Sequence, residues 1–180
     1  MVMTIWNRRR SASVAGGLLL AIAISGAAYA ISSNAFTYTT ARNGFHTINH
    51  YQMTPKTDQT GYNNFQSGLS VESAGCFNTG VHLPDGAVIK TLAMSYRGKL
   101  GSITLALLRQ HFTTVAVDSI ANLAGSNTGG DNKVKSITAS PSFETVDNRN
   151  YSYSLELCMT DANDTFYAGR VGYQYLNAGD

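Results

Sequence analysis

The chain has 180 residues, 43% hydrophobic and 13% charged, with 13 lysines and arginines, 11 acids and a formal net charge of +2. That balance describes one globular domain and excludes a disordered, collagen-like or coiled-coil chain.

Arg8, Arg9 and Arg10 precede an eleven-residue apolar run, Val14 to Ile24, and Ala28-Tyr29-Ala30 sets small residues at both cleavage-recognition positions. Residues 1–30 are therefore expected to be a secretory signal peptide cut after Ala30, the run being short of the roughly 20 residues that cross a bilayer. The paired arginines also suggest twin-arginine export, but Ser11-Ala12-Ser13 lacks the bulky pair of that signal, which favours the general secretory route. Cleavage removes three of 13 basic residues and leaves 10 against 11 acids, a net charge of −1. With no basic cluster left, nucleic acid is not an expected partner. No second apolar stretch approaches spanning length, so the mature chain is expected to be extracellular or periplasmic.

Residues 31–74 are polar with scattered aromatics, and the pattern leaves open whether they form an arm covering a sandwich or part of it; residues 75–180 carry the predicted sandwich core. Cys76 and Cys158 are the only cysteines, and in an oxidising compartment they are expected to form one disulfide. Leu83-Pro84-Asp85-Gly86 is a turn signal. After it Val88, Leu92, Met94 and Tyr96 alternate with Thr91, Ala93 and Ser95, with Lys90 breaking the apolar parity. Arg97 to Gly101 reads as a turn into Ile103, Leu105 and Leu107, which predicts a hairpin. Thr104 to Gln110 is too short for a helix. Further β-branched runs lie at Phe112 to Ile120, Lys133 to Thr138 and Phe143 to Val146, around a polar, glycine-rich loop from Gly125 to Asn132.

From Tyr151 the alternation is unbroken: Tyr153, Leu155, Leu157 and Met159 share its face, and Ser152, Ser154, Glu156 and Cys158 share the other. Cys158 thus faces away from the core, so the disulfide is expected to staple a covering segment to the sheet exterior. Thr165 to Leu176 is a second tyrosine-rich strand, with Tyr167, Val171, Tyr173 and Tyr175 at core parity, and Gly169 and Gly172 marking a bulge or close approach. Thr160 to Asp164 between them predicts a second hairpin. Eight to ten short strands without a covering helix predict an all-β fold, an antiparallel β-sandwich of the jelly-roll kind.

The ordered series Cys76-Phe77, Val81 to Ala87, Leu107-Leu108-Arg109, Val146 to Tyr153, Gly169-Arg170-Val171 and Tyr175 to Asp180 resembles a group of small exported bacterial proteins, mostly uncharacterised and all-β. The resemblance spans about Gly75 to Asp180. It implies a β-sandwich and carries over no activity and no functional residue. Arg97-Gly98-Lys99 departs from the group, which has an aromatic and acidic patch there. Asp147 and Asn148 are read as turn residues bonding their own backbone.

Of the four histidines, only His46 and His50 have a shared-face spacing, and two ligands without a carboxylate fall short of a zinc site, so no metal or cofactor is expected. Asp161, Asn163 and Asp164 offer oxygens to a calcium ion or simply build a turn; the residue types fit both. Gly68-Leu69-Ser70-Val71-Glu72 lacks the second glycine of a nucleophile elbow, and no catalytic group is proposed. Core parity claims most of the tyrosines, leaving Tyr38, Tyr51, Tyr62 and Phe65 as candidates for an exposed platform. The leading expectation is a secreted, non-enzymatic structural or interaction protein, in which Ser32 to Thr40 pairs with the sheet edge of a second copy or mediates surface association. The alternative is a glycan-binding module reading its ligand through Tyr51 and Tyr62; a hydrolase comes third.

Overall fold

In the computed structural model, residues 36–98, 102–125, 135–139, 141 and 144–178 are described. The expected signal peptide with its expected cleavage residues Ala28 and Ala30, residues 99–101 of the expected turn and residues 126–132 of the expected loop lie outside them. Packing divides the chain after Phe36, and every side chain described below lies in the second unit, Thr37–Asp180.

The strands are β1 (Phe36–Asn49), β2 (Thr54–Pro55), β3 (Tyr62–Phe65), β4 (Gly68–Val71), β5 (Gly75–Val81) and β6 (Val88–Arg97). They continue as β7 (Ile103–His111), β8 (Val117–Ala124), β9 (Lys135–Ala139), β10 (Glu144–Thr145), β11 (Tyr151–Met159) and β12 (Thr165–Ala178). One turn of 3-10 helix, His50–Gln52, follows β1, capped by Asn49. Among the described residues no helix is long and apolar enough to cross a membrane.

Five strands form one sheet in the order β2-β5-β11-β7-β8. Seven form the other around the central pair β6-β12: β9 and β10 join β6, β4 and β1 join β12, and β3 joins β4. The period-2 alternation sends one face of each central strand into a shared core. Ile89, Leu92, Met94, Tyr96, Phe166 and Val171 come from the larger sheet. Phe77, Ile103, Leu105, Leu107, Leu155 and Leu157 come from the smaller. The result is the expected antiparallel β-sandwich, with twelve strands among the described residues rather than eight to ten. Residues 36–74 supply β1, β3 and β4 to the larger sheet and β2 to the smaller.

Several local expectations are corrected. Neither predicted hairpin forms: β6 and β7 lie in different sheets, as do β11 and β12. Alternation reports which face a strand buries, not which sheet it joins, and these connections carry the chain across the core. Asp164 makes the second crossing; its fully buried carboxylate accepts from Ser102 Oγ at 2.7 Å and from the Asp161 N–H at 3.3 Å.

Bulges correct the parity twice. In β6 the register passes from Thr91 to Ile89, skipping Lys90, so Ile89 and not Val88 enters the core. In β12 it passes from Phe166 to Ala168, so Phe166 takes the core position assigned to Tyr167. A bulge turns every residue beyond it to the other face. Gly172 lies at the first of these bulges, where β6 skips Lys90, and Gly169 lies against Leu105 and Leu155 of the facing sheet. The run from Phe112 begins with a turn, and its strand starts only at Val117.

Cys76 and Cys158 form the disulfide. It does not staple a covering segment, because the two cysteines are directly opposed on the neighbouring strands β5 and β11. Outside it, Lys56 pairs with Glu156, tying the chain just after β2 to β11.

Candidate functional site

Two turns separated by some sixty residues form one clasp at an end of the sandwich. Pro84 sets φ for the first, and Gly86 completes it with φ +71, a left-handed conformation that glycine adopts without strain. The Asp147 carboxylate builds the second, accepting from the Arg149 and Asn150 N–H groups at 3.2 Å each and from Asn150 Nδ2 at 2.7 Å. The Asn150 side-chain bond holds that carboxyl below its usual range, outweighing the opposing effect of desolvation.

Four hydrogen bonds lock the turns together. Gly86 N donates to Val146 O at 2.8 Å and Val146 N to Ala87 O at 2.7 Å. Asn148 N donates to Asp85 Oδ1 and Asn148 Nδ2 to Leu83 O, both at 2.8 Å. Tyr153 supports the clasp from the core, its hydroxyl accepting from the Asp147 N–H at 2.9 Å.

Beside this clasp opens a cleft of about 630 Å³ between the end of β5, the start of β11 and Tyr173 of β12. Its side walls are Tyr151, Ser152, Tyr173, His82 and Asn148. The hydroxyl end of the Tyr173 ring lies against Gly44 of β1, where a Cβ would stand 2.5 Å from Cε2 and Cζ. Only glycine permits that approach. Tyr151 is held on one face by the Arg109 guanidinium, 4.5 Å above its ring, and at an edge by His111, 5.0 Å between centroids. Arg109 is itself anchored by Asp118 at 3.0 Å.

The cleft mixes apolar surface with neutral polar groups. The hydroxyls of Tyr151, Ser152 and Tyr173 and the ring nitrogens of His82 make no hydrogen bond to another described residue, and no Asp or Glu lines the walls. His46 stands behind His82, ring centroids 6.5 Å apart. Burial first, and the charge of His82 second, hold the His46 pKa below its ordinary value. The walls offer aromatic rings and hydroxyl-type hydrogen-bonding partners.

The sequence candidates fall elsewhere. His46 and His50 are not partners: His46 faces His82, whereas His50 is buried with Nδ1 2.7 Å from Asn64 Oδ1. Among the described residues no three metal-ligating side chains gather. Asp161 Oδ1 accepts from the Asn163 N–H and Nδ2, both at 2.9 Å, so with Asp164 these residues build the crossing turn. Ser70 sits in the middle of β4, opposite Thr165.

Tyr38 is packed rather than exposed, edge-on to Tyr175 at 5.7 Å with Arg42 over its ring. Tyr51, Tyr62 and Phe65 are exposed at 56%, 40% and 64%, and none of them lines the cleft. Sequence reasoning missed His82, Asn148 and Tyr173. For His82 and Asn148 the available signal was their place beside or within a turn phrase, Leu83 to Gly86 and Asp147 to Asn150, whereas Tyr173 lies inside β12 and carried none.

Residues of β1, β12 and β6 line two smaller hollows of about 220 and 200 Å³. Phe45 rises beside them, with the Arg170 guanidinium 5.1 Å over its ring.

No protein-family model and no curated protein matches the chain. Among solved structures the chain is similar to several carbohydrate-binding modules. A xylan-binding module of family 15 has 12% identity and a TM-score of 0.48, over 76% of this chain and all of that one. The C-terminal family 6 module of a marine laminarinase from Zobellia galactanivorans has 12% identity and a TM-score of 0.42, over 71% of this chain and 98% of that one. A β-1,3-glucan-binding family 6 module from Bacillus halodurans has 12% identity and a TM-score of 0.42, over 74% and 96%.

Proposed function

We propose that the chain is an exported, non-catalytic module that binds a glycan in the cleft between the clasp and Tyr173. The observation that carries this reading is the combination of walls: the tyrosines Tyr151 and Tyr173 stand beside His82, Ser152 and Asn148, on a backbone already fixed by the clasp. A sugar ring presents an apolar C–H face and a rim of hydroxyls. Aromatic rings take the first, and neutral donor–acceptor groups take the second. Export through residues 1–30 would bring the cleft to polysaccharides outside the cytoplasm.

Self-association through the N-terminal segment has less support. Phe36 to Thr40 belongs to β1, which pairs with β12 of its own chain.

The test is calorimetric titration of the oxidised chain Ile31–Asp180 with xylan, β-1,3-glucan, cello- and manno-oligosaccharides. Binding is expected to at least one, weakened about tenfold or more in Tyr173→Ala and His82→Ala and unchanged in Tyr51→Ala and Tyr62→Ala. A chain that binds none of a broad glycan panel, or binds undiminished in both cleft variants while retaining its melting temperature, overturns the reading.

A further inference from the structure

The turn between β7 and β8 presents an apolar tip with an uncommon backbone. Phe112 is 80% exposed, Val115 70% and Val117 56%. No charged residue occurs from Phe112 to Val117. Val115 has φ +52, and it alone among the described non-glycine residues lies at positive φ. A β-branched residue persists there only when its surroundings fix it.

The surroundings are specific. His111 Nδ1 lies 3.2 Å from Thr113 N, 3.3 Å from Thr114 N and 3.1 Å from Thr113 Oγ1, accepting from the two N–H groups. Val115 N donates to His111 O at 3.1 Å, and His111 N to Ala116 O at 2.9 Å. The tip is therefore held rigid while its largest side chain stays in water.

The tip adjoins the cleft. Phe112 N donates to Asn150 O at 2.8 Å, in the turn that also presents Asn148. His111 is the register partner of Tyr151 and touches its ring. Two strand spacings, about 10 Å, carry the sheet from β5 at the cleft wall across β11 to β7. The route from His82 past Tyr151 to Phe112 thus follows one end of the smaller sheet without leaving it.

We infer that Phe112, presented by this strained turn, is a further sugar-stacking residue that extends the cleft, so that the module reads several consecutive units of a polysaccharide chain rather than one terminal sugar. The inference rests on the glycan-binding reading of the cleft and names the ligand class as an oligomer long enough to reach from Tyr173 to Phe112. An exposed phenylalanine ring, with no hydroxyl of its own, supplies a platform for a C–H face and leaves orientation to the polar groups of the cleft.

Titration of wild type and Phe112→Ala with a matched series from disaccharide to hexasaccharide tests it, using the glycan class that wild type binds. Wild-type affinity should rise with chain length. Phe112→Ala should lose about tenfold on the hexasaccharide while keeping disaccharide affinity and melting temperature. Val115→Gly, which relaxes the turn, should lose part of the same increment. Affinity independent of length, or a Phe112→Ala variant that binds every length like wild type, overturns the inference and leaves the cleft reading intact. Binding of no oligosaccharide overturns both. A wild-type dimer that dissociates in Phe112→Ala would assign the tip to a second copy and overturn the extension.

Discussion

Cys76 and Cys158 are register partners in β5 and β11, with Cα atoms 4.1 Å apart and a sequence separation of 82. The bond therefore closes a long loop at a place where the ladder already brings the strands together. Replacing both cysteines by alanine should lower stability by about 2–4 kcal/mol, read as a shift in the urea midpoint. An unchanged midpoint would mean that the strand ladder alone fixes this pairing.

Tyr153 sits under the clasp with its hydroxyl on the Asp147 N–H. Tyr153→Phe keeps the ring in the core and removes the acceptor, which should cost about 1–2 kcal/mol in denaturant unfolding. If the clasp positions the cleft walls, glycan affinity should fall as well.

Gly44 gives Tyr173 its resting place. In Gly44→Ala the new methyl would meet the Tyr173 ring at 2.5 Å, so the ring must tilt away from β1. Stability should fall by about 1–3 kcal/mol, and cleft affinity should drop further than in a substitution at exposed Tyr51.

Val115→Asn should stabilise the chain by about 1 kcal/mol, since asparagine tolerates the left-handed region that valine resists. A melting temperature unchanged or lowered would show that the valine methyls contribute more than the backbone conformation costs.

His46 sets the sign of a pH effect. Its pKa is lowered in the folded chain, by burial and then by His82, from an ordinary value of 6.5. The unfolded chain therefore takes the proton first as pH falls. The group is neutral in both states well above pH 6.5, and stability is lost as pH drops below that value until the folded-state ring also protonates. Urea midpoints at pH 7.5 and 5.5 should differ less in His46→Gln than in wild type.

The β-sandwich and its best strand were legible because alternation from Tyr151 to Met159 is a local signal of a buried face, and β11 has those bounds. Sheet membership was not legible. The pairing of β6 with β12, and of β7 with β11, joins strands that do not adjoin in sequence, so no local pattern marks it. Tyr167 and Val88 were misplaced because a bulge is one unpaired residue, visible only against a partner strand. The cysteine pair could be named from compartment and count, but its in-register position could not. The cleft was hidden for a similar reason: Pro84-Asp85-Gly86 and Asp147-Asn148 each read as a turn, and only their mutual hydrogen bonds make them a wall.

The crossings from β6 to β7 and from β11 to β12 leave the central pairs of both sheets without a local turn to start them. β5 finds β11 and β6 finds β12 only after most of the intervening chain has been threaded, which places the protein among slow, high-contact-order folders. In the oxidised chain one of those long searches is already complete, because the disulfide keeps β5 opposite β11 even when the rest is unfolded. Refolding from urea should therefore be much faster oxidised than reduced, making the bond as much a memory of topology as a brace for the finished sheet.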